Sequence, residues 1–213
     1  AAEFAHEVGA KLIADCTATP PSMTRALELG ADISFHSATK YLNGHSDITA
    51  GVLSVKETGQ FWDDIAMVRK LQGTVLHSQD AWLLIRGMRT LFLRVERSCK
   101  NAMAIAMHFE GHPHIEAVLY PGLASDLGHE VAKRQTGGQF GGMMSIIIKG
   151  TEQTAVDVTR FCELFYPATS LGGVESLVEH RKTVSGEGFP VHPRLLRLSI
   201  GIEEADDLIY DLE

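Results

Sequence analysis

Cysteine is scarce in this chain of 213 residues, and the three present, Cys16, Cys99 and Cys162, stand far apart with no CxxC pair. An odd, scattered set speaks against a disulfide framework and against a zinc knuckle, so a reducing cytoplasm is the expected setting. Basic charge is also short: 19 Lys and Arg face 27 Asp and Glu, a formal net charge of −8. No nucleic-acid or anionic-membrane partner is expected from that balance, although it leaves room for a local basic pocket. No apolar run reaches the length of a membrane span, and no signal-peptide pattern opens the chain, so no membrane association is expected. An initiator methionine is missing as well. "AAEFAHEVGAKLIAD" reads as a helix running into a strand, which places the expected start inside a larger protein with part of any active site upstream.

What is present suits a folded α/β protein. Hydrophobic residues make up 45% and charged residues 22%, enough apolar content for a packed core in one large domain or two small ones. Ala1 to Val8 reads as a helix end stopped by Gly9, and Lys11 to Ala14 as a short strand leading to Asp15. Pro20 and Pro21 break structure, after which Thr24 to Leu29 is expected to form a short helix closed by Gly30. Ile33 to Phe35 and Ile48 to Val55 read as strands, giving an expected largely parallel sheet. In such sheets ligands gather at the carboxyl ends of strands, where Asp15 and Ser37 both fall.

Further on, Glu57 to Met67 is amphipathic, and Ser78 to His108 is a long helical pattern interrupted at Gly87 and expected to bridge two domains. "PHIEAVLYPGL" and "GGMMSIIIKG" read as strands, Thr154 to Phe165 as a helix, "LRLSIGI" as a strand and Glu203 to Leu212 as a last helix. The expected division is 1–90 and 91–213, the second part a βαβ-like α+β domain.

Lys40 is the residue that most needs weighing. The bland reading is a surface lysine, where most lysines sit. Against it stands its setting, "HSATKYLNGHSD", hydroxyls and an amine directly after an apolar strand. A nucleotide P-loop is rejected by spacing, since the hydroxyls precede Lys40 and Gly44 follows it. His36, His45 and Asp47 lack the spacing of a metal site; His45 and Asp47 read as shaping the turn after Lys40. The "HPHIE" cluster at His112 and His114 reads as a loop, and Cys16 as a small buried thiol.

Four segments together resemble one family. "HSATKYLNGHSD" is similar to the pyridoxal-phosphate lysine motif of the Cys/Met-metabolism, or trans-sulfuration, enzymes. "LIADCTATP" resembles that family's aspartate segment, "SLGGVESL" its substrate-side loop and "LLRLSIGIE" its carboxylate-binding arginine segment, all in the family's order. Cys16 stands where the family usually has asparagine, and "EHRKTVSGEGFPVHP" departs from commoner relatives and is expected to be a flexible loop.

The resemblance implies an α/β fold: an aspartate-aminotransferase-like (fold type I) large domain, here incomplete, followed by the α+β domain. It implies pyridoxal 5'-phosphate as cofactor, Lys40 as its imine-forming lysine and proton carrier, and Asp15 as the acid on the pyridinium nitrogen. Ser37 and Thr39 match phosphate-binding positions, and period-two spacing would put both hydroxyls on one side if the strand persisted. Their alternative is turn capping, as a turn is for Asp15. Arg197 matches the receiver of the substrate α-carboxylate, against the alternative of an edge-strand arginine pointing to water; Ser170 would assist it. Glu175 hints at specificity for cystathionine. The implied reaction lies at the γ-carbon of a sulfur or homoserine-derived amino acid, as in cystathionine γ-synthase or γ-lyase. Methionine γ-lyase, O-acetylhomoserine sulfhydrylase, cystathionine β-lyase and a catalytically silent binding protein are the alternatives. The family's homotetramer, a dimer of dimers, is the implied assembly.

Overall fold

The computed structural model describes residues 1–186 and 188–213, which form two compact units, Ala1–Leu91 and Phe92–Glu213. The first opens with helix α1 (Ala2–Glu7) and then strands β1 (Ile13–Asp15), β2 (Ile33–Ser37) and β3 (Gly51–Ser54) in the order β1-β2-β3. β1 runs parallel to β2, Asp15 opposite Phe35, whereas β3 is antiparallel to β2. The sheet is therefore mixed rather than largely parallel, and β3 occupies only the end of the expected Ile48–Val55 run. β2 is the central strand and buries Ile33, Ser34 and His36.

Between β1 and β2 the expected helix over Thr24–Leu29 is a run of turns. Bonds such as Leu29 N to Arg25 O close single loops there, and six residues without a cap give too few bonds to offset helix nucleation. The small residues of this segment still pack: Cys16, Ala26 and Ala31 form one buried cluster. Helix α2 (Gln60–Gln72) ends at Gly73, whose φ of 68° supplies the left-handed stop. Helix α3 (Ser78–Met88) starts at His77, whose Nδ1 accepts the N–H of Gln79.

The second unit holds α4 (Leu91–Phe109), β4 (Ile115–Leu119), α5 (His129–Thr136), β5 (Met143–Ile148), α6 (Glu152–Phe161), β6 (Tyr166–Pro167), β7 (Leu177–His180), α7 (Arg181–Ser185), β8 (Leu195–Ser199) and α8 (Ala205–Leu212). The long helical pattern is thus two helices, α3 and α4, and the break falls after Met88 instead of at Gly87. The sheet order is β4-β5-β8-β7-β6, antiparallel except for β6 with β7, so the βαβ-like arrangement is replaced by an antiparallel sheet with helices. Its core joins Ala102, Ile105 and Phe109 of α4 to Ile146, Ile148, Val178, Leu196 and Leu198 of the sheet and Leu208 of α8. α6 begins on a reciprocal cap between Thr151 and Thr154. It stops short of Phe165 because the Asp211 carboxylate accepts the backbone N–H groups of Glu163, Leu164 and Phe165.

Only the first part of the stretch expected as a flexible loop is regular: Glu179 and His180 are buried residues of β7 and Arg181–Ser185 is helical, while Glu187 lies outside the described residues. His180 is fixed at both nitrogens: Nε2 lies 2.7 Å from the Pro193 carbonyl and Nδ1 2.6 Å from the Thr183 hydroxyl. The carbonyl can only accept, so Nε2 carries the proton and Nδ1 accepts from Thr183 in the neutral ring.

Candidate active site

The first cluster of chemistry sits at the carboxyl ends of β1 and β2, both in the first unit. Asp15 ends β1 with its side chain outside the core, and Oδ1 accepts the backbone N–H of Thr17 at 2.9 Å. The Thr17 Oγ1 in turn accepts the backbone N–H of Ser37, the last residue of β2, at 2.9 Å. Thr17 therefore ties the aspartate to the end of the neighbouring strand. Its hydroxyl and N–H hold the Asp15 carboxyl below the usual carboxylate range, with the His36 ring adding to the effect against a small cost of burial. At neutral pH Asp15 is an anion.

Beyond Ser37 the chain leaves the strand at once. Lys40 N donates to the Ser37 carbonyl at 3.1 Å, Asn43 N to Ala38 at 3.0 Å and Gly44 N to Lys40 at 2.7 Å. This tight turn needs a left-handed residue, and Gly44 supplies it with a φ of 72°. Asn43 is buried and donates from Nδ2 to Asp47 at 2.7 Å, and its carbonyl lies 2.7 Å from His45 Nδ1. His45 and Asp47 thus shape the turn after Lys40, and among the described residues no group of His, Cys, Asp or Glu could hold a metal ion.

Ser37 and Thr39 do not share a strand face, because β2 ends at Ser37. Thr39 lies in the turn, and its Oγ1 accepts from Ala50 N at 2.9 Å and lies 3.4 Å from the Ala50 carbonyl. Its hydroxyl is already used to hold the lead-in to β3 against the lysine turn.

His36 backs this edge from the core side, its Nε2 3.2 Å from the Ser34 hydroxyl. Burial pushes its imidazole below the ordinary value, and the Asp15 carboxylate pulls it partly back. The unfolded chain accepts a proton near pH 6.5 (roughly) that the folded chain refuses, so this contribution to stability is full above that pH and falls as the pH drops through it. His36→Gln is expected to flatten the stability profile between about pH 7 and pH 5. Denaturant unfolding at several pH values checks this, and an unchanged slope would assign the acid sensitivity elsewhere.

The second cluster belongs to the other unit. Arg197 lies on β8, an interior strand flanked by β5 and β7, so it is not an edge-strand arginine pointing to water. Its side chain keeps only 21% of its surface exposed. Nη2 donates to the carbonyls of Thr169 at 2.6 Å and Ser170 at 3.2 Å and to Glu179 Oε2 at 2.7 Å. Ser170 meets Arg197 through its backbone. Glu179 is the cross-strand partner of Arg197 in the β7–β8 register, and its Oε1 accepts from Arg181 Nη1 at 2.6 Å. Burial lowers the Arg197 guanidinium from its ordinary value, Glu179 raises it and Arg181 lowers it again.

Glu175 is half-buried beside the backbone of Gly173, where a Cβ would come within 3.0 Å of its carboxylate. The following residue anchors this loop: Glu203 accepts from Ser176 N at 2.7 Å and Oγ at 2.9 Å, and Ser176 Oγ accepts from Gly201 N at 2.9 Å.

Thr17, Glu179, Arg181 and Glu203 escaped the sequence reading. Only Glu179 left a trace there, an acid directly after Leu177 and Val178 and two residues before an arginine.

Comparison with known proteins adds an independent line. The model of the family described as Cys/Met metabolism PLP-dependent enzyme matches residues 1–213. A cystathionine beta-lyase of Coxiella burnetii is 42% identical over 220 residues, covering 100% of this chain and 57% of that protein. A cystathionine gamma-synthase of Mycobacterium bovis is also 42% identical, over 217 residues, covering 100% of this chain and 55% of the relative. The crystal structure of cystathionine gamma synthase from Xanthomonas oryzae pv. oryzae with aminoacrylate and cysteine superposes with a TM-score of 0.93 at 38% identity, covering 99% of this chain and 56% of that one. The chain spans about half the length of the curated relatives it matches. Its two units therefore carry the fold of PLP-dependent type I enzymes over that part of their length.

Pyridoxal 5'-phosphate, on which that family depends, fits the donor set of the first unit. A carboxylate kept anionic, a primary amine and a hydroxyl stand at one end of two adjacent strands, which is what a protonated ring nitrogen, an aldehyde and a phosphate require.

Proposed function

The chain belongs to the Cys/Met metabolism PLP-dependent enzyme family, and from that premise we propose that its protein is a trans-sulfuration enzyme working at the γ-carbon of sulfur or homoserine-derived amino acids. The observation that supports this reading is that Asp15 ends β1, Ser37 ends the parallel β2, and the turn carrying Lys40 follows at once. Cystathionine γ-synthase or γ-lyase chemistry is preferred, on the "SLGGVES" loop with its Glu175. Relatives named as a β-lyase and as a γ-synthase are equally similar, so overall identity does not choose between these reactions.

Pyridoxal 5'-phosphate, when bound, supplies an electron sink for charge developing at the substrate α-carbon. Asp15, anionic through Thr17, pairs with the ring nitrogen and keeps it protonated. Ser37 offers its hydroxyl to the phosphate, with Thr39 supporting the turn and offering the remainder of its hydrogen-bonding capacity. Lys40 Nζ would take the α-proton and pass it to the cofactor side, then take a β-proton, whose bonding electron pair expels the γ-substituent, and return that proton to the departing group. Arg197 receives the substrate α-carboxylate, with Ser170 fixing it from behind. Glu175 reads the far end of the substrate. A homotetramer in the cytoplasm, where three unpaired thiols persist, completes the reading.

The test is steady-state turnover by the full-length protein with added cofactor. Cystathionine, O-acylhomoserine with cysteine, and methionine are offered separately. Turnover of cystathionine or of the acylhomoserine–cysteine pair is expected. Turnover of methionine alone would overturn the preference, and a protein that takes up no cofactor would overturn the enzyme reading.

A further inference from the structure

We propose that Glu179 is the positioning residue of Arg197, and that Arg181 keeps the positive charge of that pair available to an anionic ligand. The proposal rests on the reading of Arg197 as the receiver of a substrate carboxylate. Glu179 has only 2% of its side chain exposed, and a carboxylate that buried is retained only with charged partners on its oxygens. It has two: Arg197 Nη2 on Oε2 at 2.7 Å and Arg181 Nη1 on Oε1 at 2.6 Å.

The geometry separates the two roles. The three hydrogen bonds that place Arg197 all leave from Nη2, toward Glu179, Thr169 and Ser170. One corner of the guanidinium is thereby pinned and its plane is set before a ligand arrives, which leaves Nη1 or Nε to offer a single donor to a carboxylate. A planar, pre-set guanidinium loses less freedom per hydrogen bond formed than a mobile one.

Charge gives Arg181 its part. Arg197 paired with Glu179 alone would be neutral overall and a poor attractor for an anion. With Arg181 on the second oxygen the triad carries one net positive charge. Arg181 sits at the rim, its side chain 36% exposed. It is a specificity-determining residue by this argument and not a catalytic one.

The experiment measures equilibrium binding to the full-length holoenzyme by calorimetry, with L-norleucine, which has no γ-leaving group, against n-pentylamine, the same skeleton without the carboxylate. Glu179→Ala is expected to weaken norleucine on the order of 10- to 100-fold, and Arg181→Met about 3- to 10-fold, each leaving pentylamine unchanged. Glu179→Asp, which keeps the charge, should recover part of the loss. If norleucine and pentylamine weaken equally in both variants, the network is merely structural and the proposal is wrong; it is equally wrong if neither weakens while the wild type prefers norleucine. A wild type that does not distinguish the two ligands sinks the underlying reading of Arg197 and the proposal with it. Should Glu179→Ala fail to fold, Arg181→Met at the rim decides alone.

Discussion

Lys40→Ala in the full-length protein with cofactor is expected to lose turnover by at least about a thousandfold while unfolding at nearly the wild-type temperature. A positioned acid–base group alone contributes roughly 10²–10⁴-fold, and Lys40 is proposed to hold the cofactor as well. The fold should survive because the turn is built from backbone bonds, Lys40 N to Ser37 O and Gly44 N to Lys40 O, which alanine can also make. Lys40→Arg sharpens the test. It keeps length and charge, which a structural or surface lysine would tolerate, but its guanidinium does not give up a proton in the working range and cannot act as a base. Both variants are therefore expected to be inactive, with the visible absorption of the lysine-bound cofactor lost. Retained activity in Lys40→Arg would remove Lys40 from the proton-moving role.

The legible parts of this molecule were those where local chemistry and local structure coincide. An apolar run into hydroxyls and a lysine, followed by a glycine, describes the end of β2 and its turn without reference to anything distant. The same holds for Asp15 at the end of β1. Reading failed where a partner far along the chain decides the outcome. β7 carries Glu179 and His180 in a strand whose four residues are all buried, and charged or titratable residues in a row argue for a loop until their partners are known. Those partners, Arg197 on β8 and the Pro193 carbonyl, are 18 and 13 residues away. The position of Arg197 was open for a related reason, since alternation along a strand does not tell an interior strand from an edge. Thr24–Leu29 failed the other way: its residues permit a helix, but the segment is too short to sustain one and its alanine, Ala26, is better used packing against Cys16.

Gly87, an interruption of the helical pattern in the sequence, is a point of contact in the structure, which makes it the second site of a large expected effect. It lies within α3, so helix propensity alone would favour alanine there by up to about 1 kcal/mol. The opposing term is steric. A Cβ on Gly87 would lie 2.3 Å from the Asn43 carbonyl oxygen and 3.0 Å from its carbon, both backbone atoms. Asn43 cannot step aside cheaply, because it is buried, its N–H is bonded to Ala38 O and its side chain to Asp47. Either α3 moves off or the Lys40–Gly44 turn deforms. Overpacking of this kind costs about 1–3 kcal/mol, so the net effect of Gly87→Ala is destabilising despite the helix gain. Activity should fall further than stability, since the turn that yields is the one carrying Lys40. Gly59→Ala is the control: its φ of 174° is extended backbone and a Cβ there meets nothing within 4 Å. Thermal unfolding and turnover of the two variants side by side make the check. A Gly87→Ala protein as stable and active as Gly59→Ala would mean that α3 does not support the lysine turn.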